Sequence, residues 1–218
     1  MTTYFDTLSK SFADVQLEPG VNTAEFLEAS RGLVKMFAIR RRSPLVDCSV
    51  DLLGSGPFSL VQSDINGNIN KIQTRLTADP VNSATLEGML AAEAKGSDKT
   101  ATQGLLWLLR GLEFTLVGLQ SSLANPNEEL SKSFTTSYGK TLSNFHNFLA
   151  RGAFKVAMAA CPARATFYKK LAKPSDDLPE AASQEKVQEQ GEKWLNGLEV
   201  IIKRMKALYA EHDYGKGL

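Results

Sequence analysis

The chain has 218 residues, enough for one large domain with a substantial core, and its 25 basic and 24 acidic residues leave a formal charge of +1. That balance excludes the concentrated basic face of a nucleic-acid binder; the one dense patch, Arg40-Arg41-Arg42, is short enough to be solvated surface. Two cysteines, Cys48 and Cys161, cannot build a disulfide framework, and the opening Thr2-Thr3-Tyr4-Phe5-Asp6 lacks the charged-then-apolar order of a secretory leader, so a reducing, cytoplasmic setting is expected.

The hydrophobic pattern is helical almost throughout. Phe26, Leu27, Ser30, Leu33, Val34 and Phe37 follow the spacing of an amphipathic helix, opened by Asn22 with Glu25 three residues on, a capping-box pattern with Asn in place of Ser or Thr. Residues 38–57 lose that period and end in the turn-forming Gly54-Ser55-Gly56-Pro57. A second helix is expected from about Phe58 to just before Asp79-Pro80, a shorter one over about 83–94, and a long one from about 100 to 123, stopped by Asn125-Pro126. The next begins near Glu128 or Glu129 and carries Phe134, Tyr138, Leu142, Phe145 and Leu149. The apolar run 153–160 continues or restarts it up to Pro162. A short helix over 164–172, a loop from Pro174 to Pro179, and a last helix with Trp194, Leu198, Ile201, Ile202, Met205, Leu208 and Tyr209 on one side complete the chain. The most apolar stretch, Gly104 to Leu119, is interrupted by Arg110 and Glu113 and falls short of the roughly 20 apolar residues of a membrane span, so it reads as a core helix. No strand-like alternation persists and no repeat of about 20–50 residues stands out. The fold class is therefore all-α, seven or eight helices whose two-sided apolar faces favour stacked layers over a simple four-helix bundle.

The most informative segment is Asp64-Ile65-Asn66-Gly67-Asn68-Ile69-Asn70-Lys71. On a helix, Asp64, Asn68 and Lys71 stand at i, i+4 and i+7 and share one face, beside a parallel stripe of Ile65, Ile69 and Ile72. An anion, an amide and a cation in a row suit a polyhydroxylated group, and the apolar strip leads inward. The pattern suggests an amphiphilic ligand with a sugar head and a hydrocarbon tail.

Trp107, flanked by four leucines, reads either as core or as a flat plate for the apolar side of a sugar ring; Arg110, a charge in so apolar a helix, needs a partner, with Glu113 and Asp64 as candidates. His146 falls on the stripe Leu142, His146, Leu149, Ala153, either as a satisfied core histidine or as a donor to a ligand carbonyl. Neither a metal-ligand spacing, a phosphate-binding glycine loop nor a nucleophile elbow is present, so no metal, nucleotide or other cofactor is expected. Asp64 with His146 could form an acid/base pair, but nothing supplies a nucleophile or oxyanion donors beside them, and no catalytic residue is assigned.

Taken together these residues bring out a resemblance. The chain is similar to the glycolipid transfer protein family over roughly residues 20–216, most of all to fungal members of the heterokaryon-incompatibility type. The similarity rests on Asp-x-x-x-Asn-x-x-Lys at Asp64, Asn68 and Lys71, on Trp-x-x-Arg-Gly-Leu from Trp107 to Leu112, and on His146 followed by Ala159-Ala160-Cys161-Pro162. The resemblance implies a single domain spanning 1–218 with a two-layer fold of about eight helices. It implies a soluble, monomeric, non-enzymatic carrier of one glycosphingolipid, such as glucosylceramide, working from the cytoplasm with transient membrane contact and no nucleic acid. It also implies roles: Asp64, Asn68 and Lys71 on the first sugar, with Asp64 also on the ceramide amide N–H; Trp107 as stacking plate; His146 on the ceramide carbonyl; and Tyr214 touching the headgroup. Ceramide-1-phosphate carriers put basic residues where Asn68 and Trp107 stand, so this chain falls on the sugar side. A glycolipid sensor or adaptor would use the same site, and a glycolipid hydrolase is a more distant alternative. Each methylene exposed to water costs about 0.8 kcal/mol, so a carrier needs an apolar interior. Phe37, Phe58, Phe114, Phe145, Phe154 and Phe167 are candidate lining, although ordinary core packing explains each one alone equally well. Two departures from the family stand out. Phe148 replaces a membrane-contacting Trp of the animal proteins, keeping the apolar wedge without the indole N–H. Ala38 to Val50 look inserted, as a surface loop or as a retained intron in the gene.

Overall fold

The computed structural model describes residues 1–37 and 57–217, with side chains described for 1–36 and 61–217. The expected insertion at 38–50, and the side chains of Phe37 and Phe58, lie outside the described residues. Among the described residues there are eight α-helices: α1 Thr23–Phe37, α2 Pro57–Ala78, α3 Leu86–Ala94, α4 Thr100–Ala124, α5 Leu130–Lys140, α6 Phe148–Ala159, α7 Arg164–Ala172 and α8 Gln184–Glu211. Three 3-10 turns, Phe5–Thr7, Phe12–Asp14 and Ser143–Phe145, complete the regular structure, and no strand occurs among the described residues.

Local chemistry fixes most of the helix starts. Asn22 Oδ1 accepts the Glu25 backbone N–H at 3.1 Å, half of the expected capping box; the Glu25 carboxylate turns instead to the Gln16 N–H and to Lys10. Thr85 caps α3, Asn147 caps α6 and Ser183 caps α8 through the same side-chain-to-N–H bond. The start of α4 is different: its own flanking residue Lys99 makes no side-chain cap. The buried Glu93 carboxylate reaches over from α3 and accepts from the backbone N–H of Ala101 (3.2 Å) and Thr102 (2.7 Å) and from the Thr102 hydroxyl (2.7 Å).

α4 organises the packing. α2 and α5 lie along it and α3 and α8 rest against it; α1 backs α2, α6 bridges α2 and α5, and α7 packs on α8. The outcome is a two-layer stack with one continuous apolar core that includes Phe12, Phe26, Leu33, Ile69, Leu112 and Trp194. The close contact of α2 with α4 is made possible by Gly104: a β-carbon there would stand 3.0 Å from Lys71 Cβ and 3.3 Å from the Asn68 carbonyl oxygen. α2 and α4 are thus drawn together at the level of Asn68 and Lys71.

The helix starting after Glu129 stops sooner than its apolar stripe predicts. It ends at Lys140, a 3-10 turn follows, and His146 is extended (φ −97°, ψ 136°) before α6 begins at Phe148. Thr141 and Ser143 hydroxyls bond back to the carbonyls of Ser137 and Gly139, side-chain competition of the kind that loosens a helix end. Leu142, His146 and Leu149 therefore do not share a helical face: Leu142 is buried whereas Leu149 is 79% exposed.

Candidate functional site

Asp64, Asn68 and Lys71 emerge on one face of α2, as their spacing requires. Ile65, Ile69 and Ile72 are buried beside them and anchor the helix. Asn68 is itself buried, at 3% exposure, and its Oδ1 accepts from Lys71 Nζ at 3.2 Å. Its Nδ2 is buried with no hydrogen-bond partner among the described residues. Asp64 keeps an open side toward solvent, yet burial by its packed neighbours raises its pKa above the usual carboxylate value, offset only in part by the attraction of His146 and Lys71.

Trp107 lies one turn beyond Gly104 on α4 and is half-buried. Its indole runs nearly parallel to the His146 ring, 16° apart with centroids at 6.0 Å. His146 in turn is near enough to Asp64 to favour its charged form, so carboxylate, imidazole and indole converge from α2, the α5–α6 connection and α4. His146 Nδ1 lies 3.0 Å from the Tyr138 hydroxyl, and its ring contacts Phe154 at 4.7 Å. Burial lowers the His146 pKa below its ordinary value; the nearby Asp64 pulls the other way and Arg151 and Arg110 reinforce the fall. Its neutral form is favoured. Arg151 also fixes the turn from outside, its Nε donating to the carbonyls of Ser143 and His146, both at 3.0 Å.

Arg110 finds neither of the carboxylates expected for it. Its guanidinium lies 4.7 Å from the Trp107 ring centroid and 3.7 Å from that of Phe145, while Glu113 pairs with Lys206 of α8 at 2.7 Å. Rings take the place of an anion here, a cation–π arrangement that tolerates partial burial. Phe145, expected in the interior, is instead 50% exposed beneath Arg110, because the 3-10 turn swings it out of the core. Phe114, Phe154 and Phe167 do face inward: Phe114 and Phe154 meet at 6.0 Å and both contact Tyr138, and Phe167 lines an apolar cavity between α4, α7 and α8. Tyr214 packs edge-on against Tyr209, and the neighbouring Gly215 lies beside Leu106, next to Trp107 on α4. Phe148 is 87% exposed and, with Leu149, Val156 and Phe145, forms an apolar surface next to the site, with Arg151 and Lys155 exposed among them.

Three contributors escape a reading of the sequence. Tyr138 carries only the signal of a core stripe, Gly104 only that of a helix interior glycine, and Arg151 that of a surface charge. Their roles come from contacts across elements. Among the described residues no group of three or more His, Cys, Asp or Glu comes together as a metal site, and no helix is long and apolar enough to cross a membrane.

Comparison with known proteins bears on the family and the fold. A family model described as glycolipid transfer protein matches residues 21–173. The chain is 41% identical over 212 residues to the glycolipid transfer protein of Aureobasidium melanogenum, covering 97% of this chain and 94% of that protein. Its fold superimposes on the crystal structure of the fungal glycolipid transfer protein HET-C2 with a TM-score of 0.80 at 38% identity, covering 95% of this chain and 97% of the other. The glycolipid-transfer fold of FAPP2 matches with a TM-score of 0.79 at 26% identity, covering 98% and 97%. With the family model covering most of its length and a full-length relative at this identity, the chain belongs to the glycolipid transfer protein family.

Proposed function

We propose that this protein carries one glycosphingolipid of simple headgroup, such as glucosylceramide, between membranes. The observation that carries the reading is the Asn68 amide: its Nδ2 is buried without a well-formed hydrogen bond among the described residues, it is close enough to Asp64 to ease the rise of that carboxyl's pKa, and it sits between Asp64 and Lys71 at the seam that Gly104 closes. An unpaired buried donor costs about 1–3 kcal/mol, and a sugar hydroxyl satisfies it. Asp64 accepts from a second hydroxyl and from the ceramide amide N–H, Lys71 donates to a third, and the sugar ring stacks on the Trp107 face opposite Arg110. With the Tyr138 hydroxyl donating to Nδ1, His146 presents its Nε2–H to the ceramide carbonyl. Tyr214, beside Tyr209 and Leu106, borders the same headgroup. The row holds one anion for one cation, which favours a neutral sugar over a phosphate.

The chains pass inward past Phe114 and Phe154 toward Phe167. Phe148 with Leu149 and Val156 touches the bilayer surface during pick-up and delivery, with Arg151 and Lys155 toward the headgroups. The chain acts as one domain and as a monomer on the cytoplasmic side, and carriage needs no covalent step. The FAPP2 fold match, to a protein that selects simple glycosphingolipids, supports the same ligand class.

Transfer of fluorescent glucosylceramide between vesicles tests the proposal, with labelled ceramide-1-phosphate as the competing cargo. Protein-dependent movement of the glycolipid, intact by mass spectrometry, is expected. Faster movement of the phosphate lipid, release of free sugar, or tight binding without transfer would overturn it in favour of a phospholipid carrier, a hydrolase or a sensor.

A further inference from the structure

The apolar cavity holding Phe167 lies far from the headgroup residues. Leu119 and Leu123 of α4, Phe167 of α7, Trp194 of α8 and Phe5 of the first 3-10 turn form its walls. At about 10 Å³ it has room for a single water at most, and its lining is almost wholly apolar, so it is a dry slot rather than a hydrated pocket. Its distance from the site can be measured on α4: at 1.5 Å per residue, Leu119 and Leu123 stand about 18 and 24 Å beyond Trp107 along the helix axis. An extended alkyl chain advances about 1.3 Å per carbon, from bonds of ~1.5 Å at tetrahedral angles, so some 14 to 18 carbons reach from the amide to this slot.

What closes the slot is unlike the rest of its wall. Phe5 belongs to a three-residue turn, not to one of the eight helices. Its ring is only partly buried, tilts against Trp194 with centroids at 5.9 Å, and rests on Gly191, where a β-carbon would stand 3.4 Å from Phe5 Cζ. Tyr4 beside it is tied firmly, its N–H to the Leu171 carbonyl at 2.8 Å and its hydroxyl to the Gly32 carbonyl at 2.7 Å. The backbone is thus pinned next to a side chain that can rotate outward.

We infer that Phe5 is the stop at the blind end of the acyl-chain channel and sets the chain length accepted at full depth. This rests on the glycolipid-carrier reading and adds a specificity residue to it. Chains of about 14 to 18 carbons end at the ring, by the same helix and alkyl rises, and longer ones must displace it.

The test is vesicle transfer of glucosylceramides bearing 12-, 18- and 24-carbon acyl chains, measured on one preparation of each variant so that any loss of folded protein cancels in the ratios. Phe5→Ala is expected to raise the 24-to-18-carbon transfer ratio at least about fivefold, and Phe5→Trp to lower the 18-to-12-carbon ratio. Unchanged ratios in both variants, with transfer intact, overturn the stop and leave the carrier reading standing. No transfer of any chain length by the unmodified protein overturns both.

Discussion

Replacing Asp64 by valine separates recognition from folding. In the folded protein the carboxylate's pKa is raised, so its surroundings disfavour the charged form, and His146 and Lys71 do not fully compensate. Removing the charge therefore takes away little that holds the fold together, and aspartate and valine rank together in helix propensity. Stability in urea is expected to change by no more than about 1 kcal/mol. Binding is another matter. Two charge-assisted hydrogen bonds, one to a sugar hydroxyl and one to the amide N–H, contribute about 1.5–3 kcal/mol each, or roughly 3–6 kcal/mol together. That corresponds to a loss on the order of 10²–10⁴ in affinity. Vesicle transfer of fluorescent glucosylceramide reads the loss, and circular dichroism with urea denaturation reads the fold. Transfer within threefold of the unmodified protein would refute the role of Asp64. A collapse of the urea midpoint would show instead that Asp64 is a structural residue.

Tyr138→Phe removes the hydroxyl at 3.0 Å from His146 Nδ1 and frees the imidazole tautomer; affinity for glucosylceramide should fall about 5–10-fold, for a loss of about 1–1.5 kcal/mol, with the aromatic contacts kept, and unchanged titration curves would count against it. Phe148→Ala, at an 87% exposed position, should leave urea stability within about 0.5 kcal/mol while slowing vesicle transfer several-fold, and equal rates on vesicles would remove Phe148 from the docking surface. Acidification should abolish ligand binding at a higher pH than an ordinary carboxylate would require, because Asp64 takes up its proton early. The two groups act on stability with opposite signs. The depressed His146 pKa contributes stability that is fully present above its unfolded value of 6.5 and is lost as the pH falls through the folded value. The raised Asp64 pKa works against folding above its folded value, and that penalty is relieved as the pH falls through it. Replacing His146 with Gln should flatten the first of these trends, read as urea midpoints between pH 7 and pH 5.

What could be read from the chain was what is local along it. The spacing of Asp64, Asn68 and Lys71 settles their common face because an α-helix repeats every 3.6 residues, and α2 confirms it. The proline stops after α2, α4 and α6 were equally legible. The break near Thr141 was not, since Leu142, His146 and Leu149 mimic a helical stripe and the back-bonding hydroxyls that end α5 leave no mark in hydrophobic periodicity. The surroundings of Arg110 were misread for a similar reason. A cation in an apolar helix suggests a carboxylate, but Glu113 is taken by a lysine of α8, and the rings of Trp107 and Phe145 stand in its place. Nothing in sequence order brings Tyr138 to a histidine eight positions on across a helix end, or shows that Gly104 sits against Lys71.

The carboxylate that Glu93 lends to the start of α4 bears on cargo choice. The leading end of a long helix carries a partial positive charge and free amide hydrogens, a natural cradle for phosphate. Here the Glu93 carboxyl group already occupies that cradle, about one and a half turns from Trp107. Under the carrier reading proposed above, a phosphorylated ceramide would find that helix terminus already occupied and the Asp64 carboxyl nearby, so discrimination against such cargo would begin in the scaffold, before any sugar is touched.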